Sequence, residues 1–167
     1  MKGSEIVLQS VVGVTAFGAV VAGGALFAFS AVVMPALRSV DARAAIASME
    51  AFNVEAPRSA LMLPLVGSAL AACVAGIWSS VVRADGWAVT VLGCIGVLAA
   101  FAVTVIYHVP RNNAFASTDV ADAAAWHRYR TGWSLWNHVR VGLYCASGAV
   151  LAVAAVLPAT RSADGAL

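Results

Sequence analysis

The chain has 167 residues, of which 62% are hydrophobic and 11% are charged, and its formal net charge is +2. A soluble domain is about 45–50% apolar and about 25% charged, so this composition indicates an integral membrane protein. The small net charge, the single lysine and the lack of a basic run argue against a nucleic-acid-binding protein. The length suits one membrane domain, residues 1–167.

Four apolar segments are long enough to cross a bilayer, which takes about 20 helical residues. The spans predicted from them are residues 6–33, 60–82, 87–108 and 133–157. Pro35 and Pro110 follow the first and third spans and are expected to end those helices, because proline lacks a backbone N–H. The prediction is therefore an all-α integral membrane protein built as a four-transmembrane-helix bundle.

Small residues recur four apart in the first span, as Gly18 with Ala22 and Gly24 with Ala28. Pairs of this kind let two membrane helices approach each other closely. Both pairs are therefore predicted to lie where the first span packs against another helix.

A more polar segment follows the first span and is predicted to form an amphipathic helix over residues 41–56. Ser39 or Asp41 can cap its start, and Pro57 ends it. Its apolar face carries one polar side chain, that of Asn53. The helix is expected to lie at the membrane interface or to fold onto the bundle. Asn53 would then either bond nearby backbone or belong to a site.

An aromatic and cationic stripe leads into the fourth span, on a helix that Thr118 or Asp119 can cap. Its residues are spaced 4, 3, 4, 3 and 4 apart, so they share one helical face. An arginine or an asparagine that faced lipid would cost several kcal/mol, so the stripe is predicted to face a protein interior or a wet cavity. The stripe residues are Trp126, Arg130, Trp133, Asn137, Arg140 and Tyr144.

The loop after the first span and the segment between the third and fourth spans emerge at the same end of a four-span bundle. Nearly all unusual polar residues fall at this end, which predicts one site there. They are Asn53, His108, Arg111, Asn112, Asn113 and the stripe. Six arginines flank this end, against three basic residues at the other. The positive-inside rule then predicts a multi-pass cell-membrane protein with its site side cytoplasmic and its termini outside.

All three histidines, His108, His127 and His138, lie on the predicted site side. A neutral imidazole can act as a base without a partner at fixed spacing, which makes His108 or His138 a candidate base. Metal binding is the competing interpretation. It is hindered because His127 and His138 lie about 16 Å apart along an unbroken helix. No carboxylate or cysteine joins them at ligand spacing, and only a break near Gly132 would bring them together.

The arginines and tryptophans at this end suit a flat anionic ligand. Arg111, Arg130 and Arg140 can donate hydrogen bonds to anions, phenolates or enolates. Trp126 and Trp133 can stack on an aromatic ring that lies beside a guanidinium group.

Four motifs carry a resemblance to a known family. The last span contains W-x2-W-N-H-x-R, from Trp133 to Arg140, and the first span ends in FSAVVMPAL. Met49-Glu50-x-x-Asn53 is similar to that family's Met-Gln-x-x-Asn, and Pro110-Arg111-Asn112-Asn113 is similar to its Pro-Leu-Asn. In these motifs and in its four-span plan, the chain resembles the membrane anthrone oxygenase family. Glu50 and Arg111 depart from the family pattern.

The resemblance implies oxidation of an anthrone-type polyketide to the anthraquinone by dioxygen, without an evident cofactor. The implied catalytic residues are His108 or His138 as the base, with Arg130 and Arg140 stabilising the anion. The implied partners are a small hydrophobic aromatic substrate, dioxygen and membrane lipids, with no nucleic acid, and a homo-oligomer is compatible. The predicted substrate-binding residues are Asn53, Arg111, Asn112, Asn113, Trp126, Trp133, Asn137 and Tyr144.

Two other interpretations remain open from the residues. A non-enzymatic membrane protein could bind a lipid, a quinone or a partner at the same pocket, because the same aromatic and cationic side chains would serve it. A metal or haem protein could use His108 together with His138 as ligands. Metal content, an absorption spectrum and oxygen uptake with an anthrone separate these two interpretations from an oxygenase.

Overall fold

The structure, a computed structural model, describes residues 3–83, 85–116 and 122–156. Helices make up 93% of these residues and no strand occurs among them, which confirms the all-α class. The elements are α1 Gly3–Ala28, a first π-helical segment Phe29–Val33, α2 Met34–Arg38, α3 Ala42–Glu55, a 3-10 turn Ala56–Arg58, α4 Met62–Val82, α5 Trp87–Val103, a second π-helical segment Thr104–His108, α6 Val109–Phe115 and α7 Ala123–Val156.

Four of the helical stretches are long and apolar enough to cross a membrane, which indicates a multi-pass membrane protein. They are Gly3–Arg38, Met62–Val82, Trp87–Phe115 and Ala123–Val156. α1 packs against α4 and α7, and α5 packs against the same two helices, so the four form a closed ring. Outward-facing side chains such as Phe17, Leu63 and Ile106 are large, apolar and exposed, as lipid contact requires.

Neither proline ends its helix, so that prediction is wrong at Pro35 and at Pro110. A π-helical segment ends two residues before each proline, and there the N–H of Met34 bonds the carbonyl of Phe29 five residues back. The N–H of Val109 bonds Thr104 in the same way. Local π geometry of this kind lets a membrane helix continue past a residue that cannot donate. The first and third spans therefore extend to Arg38 and Phe115.

The helices that form the bundle differ in length. α4 has 21 residues, about 31 Å of helix, whereas α7 has 34 residues, about 51 Å. α2, α6 and the start of α7 therefore project beyond Met62, the first residue of α4. The amphipathic helix α3 fills the space, because it contacts all three of them. The predicted helix at residues 41–56 is confirmed, and it is folded onto the bundle.

Local signals set the ends of α3. The carboxylate of Asp41 accepts the N–H of Ala44 at 2.9 Å and caps the helix start, as predicted. Pro57 falls in the 3-10 turn that follows the last helical residue. The face of α3 turned to the bundle buries Ala45, Ile46 and Met49. It thereby completes a second hydrophobic core above the first.

The first core joins α1, α4, α5 and α7. The second core, at the predicted site end, is formed by α2, α3, α6 and the first half of α7. Its buried members are Met34, Leu37, Ala45, Ile46, Met49, Phe115, Trp126, Tyr129 and Trp133. The two cores meet at the level where α4 begins, and the candidate site lies at that junction.

α7 begins at Ala123, ten residues before the predicted start of the fourth span. The carboxylate of Asp122 accepts the N–H of Ala125 at 2.8 Å at this end. The predicted caps Thr118 and Asp119, and the predicted span end at residue 157, lie outside the described residues.

The two small-residue pairs of α1 have different surroundings. A Cβ atom built on Gly18 would lie 3.0 Å from the Cβ of Ser68, so this glycine meets α4 closely, as predicted. Gly24 is exposed and has nothing within 4 Å of such an atom, so its predicted helix contact is wrong. Gly148 on α7 makes another close contact, because its built Cβ would lie 2.7 Å from a methyl group of Val20.

Candidate active site

A cavity of about 200 Å³ lies at the junction of the two cores. It is larger than the roughly 150 Å³ cavity that holds one benzene ring, which gives room for a flat ligand of more than one ring. Its apolar lining comes from all sides of the bundle: Leu26, Phe29, Met49, Phe52, Ala56, Pro57, Leu61, Met62, Leu65, Val109 and Trp133. The polar side chains that line it are Asn53, Thr104, His108, Asn112 and Arg140.

Arg140 is a buried cation at one end of this cavity, with 4% of its surface exposed. Its guanidinium donates to Thr104 Oγ1 at 3.1 Å and to Asn137 Oδ1, and its Nε has no partner among the described residues. No carboxylate of the described chain forms an ion pair with it. A buried cation normally has an anionic partner, so the cavity is suited to an anionic ligand.

His108 lies on the same wall, in the second π-helical segment, and is 2% exposed. Neither ring nitrogen meets hydrogen-bond geometry with any described residue, although the backbone of Trp136 is close by. The ring packs edge-on against Trp133, with centroids 5.4 Å apart. His108 therefore lies on the cavity wall without a side-chain hydrogen bond in the described chain, which makes it the candidate general base of this site.

Asn137 holds Arg140 in place from behind. It is fully buried and donates to the carbonyl of Leu26 at 2.9 Å and to Ser30 Oγ at 2.8 Å. Its own oxygen accepts from Arg140, so one amide ties α7 to α1 and orients the cation. Tyr144 lies one turn further along α7 and is also fully buried. Its hydroxyl meets hydrogen-bond geometry with no described residue, although the side chain of Ser68 is close by, and it does not line the cavity.

Tyr129 joins two asparagines at the other end of the cavity. Its hydroxyl accepts from Asn53 Nδ2 at 3.1 Å and donates to Asn112 Oδ1 at 2.8 Å. The ring is buried between Phe115, stacked at 3.8 Å between centroids, and Trp126. Sequence reasoning missed Tyr129, although its spacing of three from Trp126 and four from Trp133 would have placed it on the stripe.

A family model described as anthrone oxygenase matches residues 49–151, which is more than half of the chain. The chain belongs to the anthrone oxygenase family. The matched range includes every polar residue that lines the cavity, from Asn53 to Arg140. Neither the curated proteins nor the solved structures gave a match.

In this anthrone oxygenase family member, the cavity brings together five of the predicted site residues. They are Asn53, His108, Asn112, Trp133 and Arg140. Asn137 and Tyr144 are buried beside them without lining the cavity. Trp126 packs in the aromatic group around Tyr129. Thr104, the second partner of the Arg140 guanidinium, was not predicted from the sequence, since a lone threonine in an apolar span gives no signal.

The other predicted site residues do not line the cavity. His138 is exposed on the outer side of α7, and Asn113 is exposed in a separate groove beside Glu50. Arg111 is exposed and lies over the ring of Tyr107 at 5.6 Å. Arg130 is half-buried, with an unpartnered Nε in the described chain.

The structure separates the histidines of the metal interpretation. His108 is buried at the cavity, whereas His127 and His138 are exposed on α7. Within residues 3–83, 85–116 and 122–156, no three His, Cys, Asp or Glu side chains are grouped so that they could hold a metal ion.

The two departures from the family pattern also lie outside the cavity. Glu50 is half-buried at the outer groove, and Arg111 points onto Tyr107. Neither substitution changes the lining of the cavity itself.

Proposed function

We propose that this protein is a membrane oxygenase that oxidises a flat phenolic, polyketide-type substrate such as an anthrone with dioxygen. Family membership supports oxygenase chemistry in general. The observation that carries the proposal is the cavity shared by Arg140 and His108, a buried cation without a carboxylate partner in the described chain and a buried imidazole without a side-chain hydrogen bond there. An anthrone matches both groups, because its acidic C–H can give a proton to the imidazole and the enolate or phenolate that results can bind the guanidinium.

The proposed reaction starts with proton removal from the methylene carbon of the anthrone by His108. The electron pair delocalises onto the ring oxygen, and the guanidinium of Arg140 stabilises the negative charge that develops there. The electron-rich anion transfers one electron to dioxygen, and recombination of the two radicals forms a carbon–oxygen bond. Loss of water from the resulting peroxide leaves the ketone, so one oxygen atom enters the quinone and the other enters water.

The apolar walls of the cavity support this chemistry. Trp133 lies against both polar groups, 5.9 Å from the Arg140 guanidinium carbon and 5.4 Å from the His108 ring. Phe29 also packs on Trp133, with ring centroids 5.9 Å apart. A flat substrate would stack on these rings, and an apolar surrounding strengthens the interaction between its anion and Arg140. The proposal uses no metal or organic cofactor.

Oxygen uptake tests the proposal directly. The protein, purified in detergent or in lipid nanodiscs, is supplied with an anthrone, and oxygen consumption is followed together with quinone absorbance against a protein-free blank. We expect one dioxygen consumed per quinone formed, and one labelled atom in the quinone when labelled dioxygen is used. Metal analysis and an absorption spectrum of the same sample test for a bound metal or haem.

Several outcomes would replace this proposal. A rate equal to the blank, with quinone still binding to the protein, would favour the non-enzymatic binding interpretation. Stoichiometric metal or a haem spectrum would move the chemistry to that group. The orientation of the site end towards the cytoplasm is a separate prediction, which labelling of an engineered cysteine in α3 from either side of sealed vesicles would test.

A further inference from the structure

Away from Arg140, the cavity is lined by Asn53 and Asn112, which form a hydrogen-bonded unit with Tyr129. Both asparagines line the inner cavity, and both also line a second, outer groove of about 240 Å³ that contains Glu50 and Asn113. The pair therefore lies between the inner cavity and the outer groove. Tyr129 connects the two amides through its hydroxyl.

The three side chains keep unused hydrogen-bonding groups. The Tyr129 hydroxyl is engaged as a donor and as an acceptor, whereas Asn53 uses only one amide hydrogen and Asn112 only its oxygen. The carbonyl oxygen of Asn53 and the amide group of Asn112 form no hydrogen bond with another described residue. The two asparagines that line this end of the cavity therefore offer one unused acceptor and one unused donor group, which matches the two hydrogen-bonding functions of a hydroxyl group.

Tyr129 is held rigidly enough to set this arrangement. It is 4% exposed, and its ring stacks on Phe115 with planes 19° apart. Trp126 packs on it as well, at 6.1 Å between centroids. A side chain fixed by aromatic packing places its hydroxyl accurately, and the hydroxyl in turn fixes the rotation of both amides.

The two polar ends are spaced along one helix. Thr104, which marks the level of the Arg140 guanidinium, and Asn112 are eight residues apart, at most about 12 Å of rise along a helix that is π-helical in its first half. His108 lies halfway between them on the same face. A flat ligand whose oxyanion meets Arg140 and whose reacting carbon meets His108 can extend one outer ring towards the asparagines.

We infer that Tyr129 is a positioning residue that sets substrate specificity by holding Asn53 and Asn112 ready to bind an oxygen on one outer ring of the substrate. This inference rests on the proposed function. The substrate class it specifies is a flat phenol that carries an oxygen on an outer ring in addition to the central-ring oxygen that meets Arg140.

Two substrates and two matched variants test the inference. The substrates are an anthrone with a hydroxyl on both outer rings and unsubstituted anthrone, which has none. Tyr129→Phe removes the bridging hydroxyl, and Tyr107→Phe removes the same atom from a ring that does not line the cavity. Asn112→Ala removes the donor itself. Each protein is measured for kcat and KM with both substrates.

We expect the wild type to prefer the doubly hydroxylated substrate by about tenfold in kcat/KM, the range for hydrogen bonds of this kind. Tyr129→Phe and Asn112→Ala should lose that preference through a higher KM for this substrate alone, while Tyr107→Phe retains it. An equal loss for both substrates in Tyr129→Phe would show that Tyr129 only supports the fold. The inference would also be overturned by a wild type without preference.

Binding of the corresponding quinones separates this inference from the proposed oxidation. Quenching of tryptophan fluorescence gives the affinity of each quinone without turnover. If the wild type oxidises neither anthrone but binds the doubly hydroxylated quinone more tightly, and Tyr129→Phe loses that difference, the positioning role stands and the oxygenase proposal fails. If wild type and Tyr129→Phe oxidise both anthrones equally well, the oxygenase proposal stands and the positioning role of Tyr129 fails.

Discussion

Replacing Arg140 by methionine should separate the catalytic role of this residue from any role in stability. Methionine is unbranched and of similar length, so it can fill the space along the cavity wall without a charge. The wild-type guanidinium is 4% exposed and has two hydrogen bonds, to Thr104 and Asn137, with no carboxylate partner in the described chain. The charge is therefore placed where the fold itself gains little from it.

The magnitudes follow from this environment. Burial of an ion costs several kcal/mol, and each hydrogen bond from a charged group returns about 1.5–3 kcal/mol, so the two bonds of Arg140 roughly offset its desolvation. Arg140→Met removes both effects and should change the free energy of unfolding by no more than about 1–2 kcal/mol, either way. Loss of one group that stabilises an oxyanion costs about 100-fold to 1,000-fold in kcat.

The assay compares anthrone-dependent oxygen uptake with the midpoint of thermal unfolding for Arg140→Met, Arg140→Lys and Arg111→Met. Arg111→Met is the matched control, because this arginine is exposed outside the cavity. We expect Arg140→Met to lose at least 100-fold in rate with only a small thermal shift. Arg140→Lys should be intermediate, because lysine keeps the charge without the planar fork. A large thermal destabilisation, or an unchanged rate, would refute the reasoning.

Three further predictions concern the base, the buried amide and the helix packing. His108→Gln should lower kcat by about 100-fold or more, with the exposed His127→Gln as control, and a comparable loss in His138→Gln instead would assign the base to His138. Asn137→Leu should lower the free energy of unfolding by about 2–4 kcal/mol, because Asn137 makes three hydrogen bonds. Ser30→Ala should lower it by only about 1 kcal/mol, because Ser30 accepts one of the three. Equal thermal midpoints in both variants would contradict this. Gly148→Ala should destabilise by about 1–3 kcal/mol because its methyl group would meet Val20, whereas Gly24→Ala, with open space around it, should be neutral or slightly stabilising.

Much of the fold could be predicted because the signals were local. Apolar length gives the spans, Asp41 caps α3, and the spacing of Trp126, Trp133, Asn137 and Arg140 places them on the buried face of α7. The ends of the first and third spans could not be predicted in the same way. A proline ends a helix only if its missing hydrogen bond is left uncompensated, and here a π-helical segment before Pro35 and Pro110 lets both helices continue.

The candidate site was predicted in its location and in part of its membership. Four spans place the unusual polar residues at one end, which is a consequence of topology alone. Which of them share a cavity depends on helix rotation, about 100° per residue, so Asn137 is fully buried while the adjacent His138 is exposed. Tyr129 and Thr104 gain their importance from partners 76 and 36 residues away in sequence, which no local pattern reveals.

The amino-acid sequence by itself therefore determined the membrane class, the four spans and the buried stripe of α7, because these follow from composition and from helical periodicity. Only the tertiary structure decided that α4 begins below the level that α2, α6 and the start of α7 reach, and that α3 fills the space above it. This depends on relative helix lengths and on packing between distant segments. That packing leaves a cavity between two cores, with Arg140 at one end and the Tyr129 unit at the other.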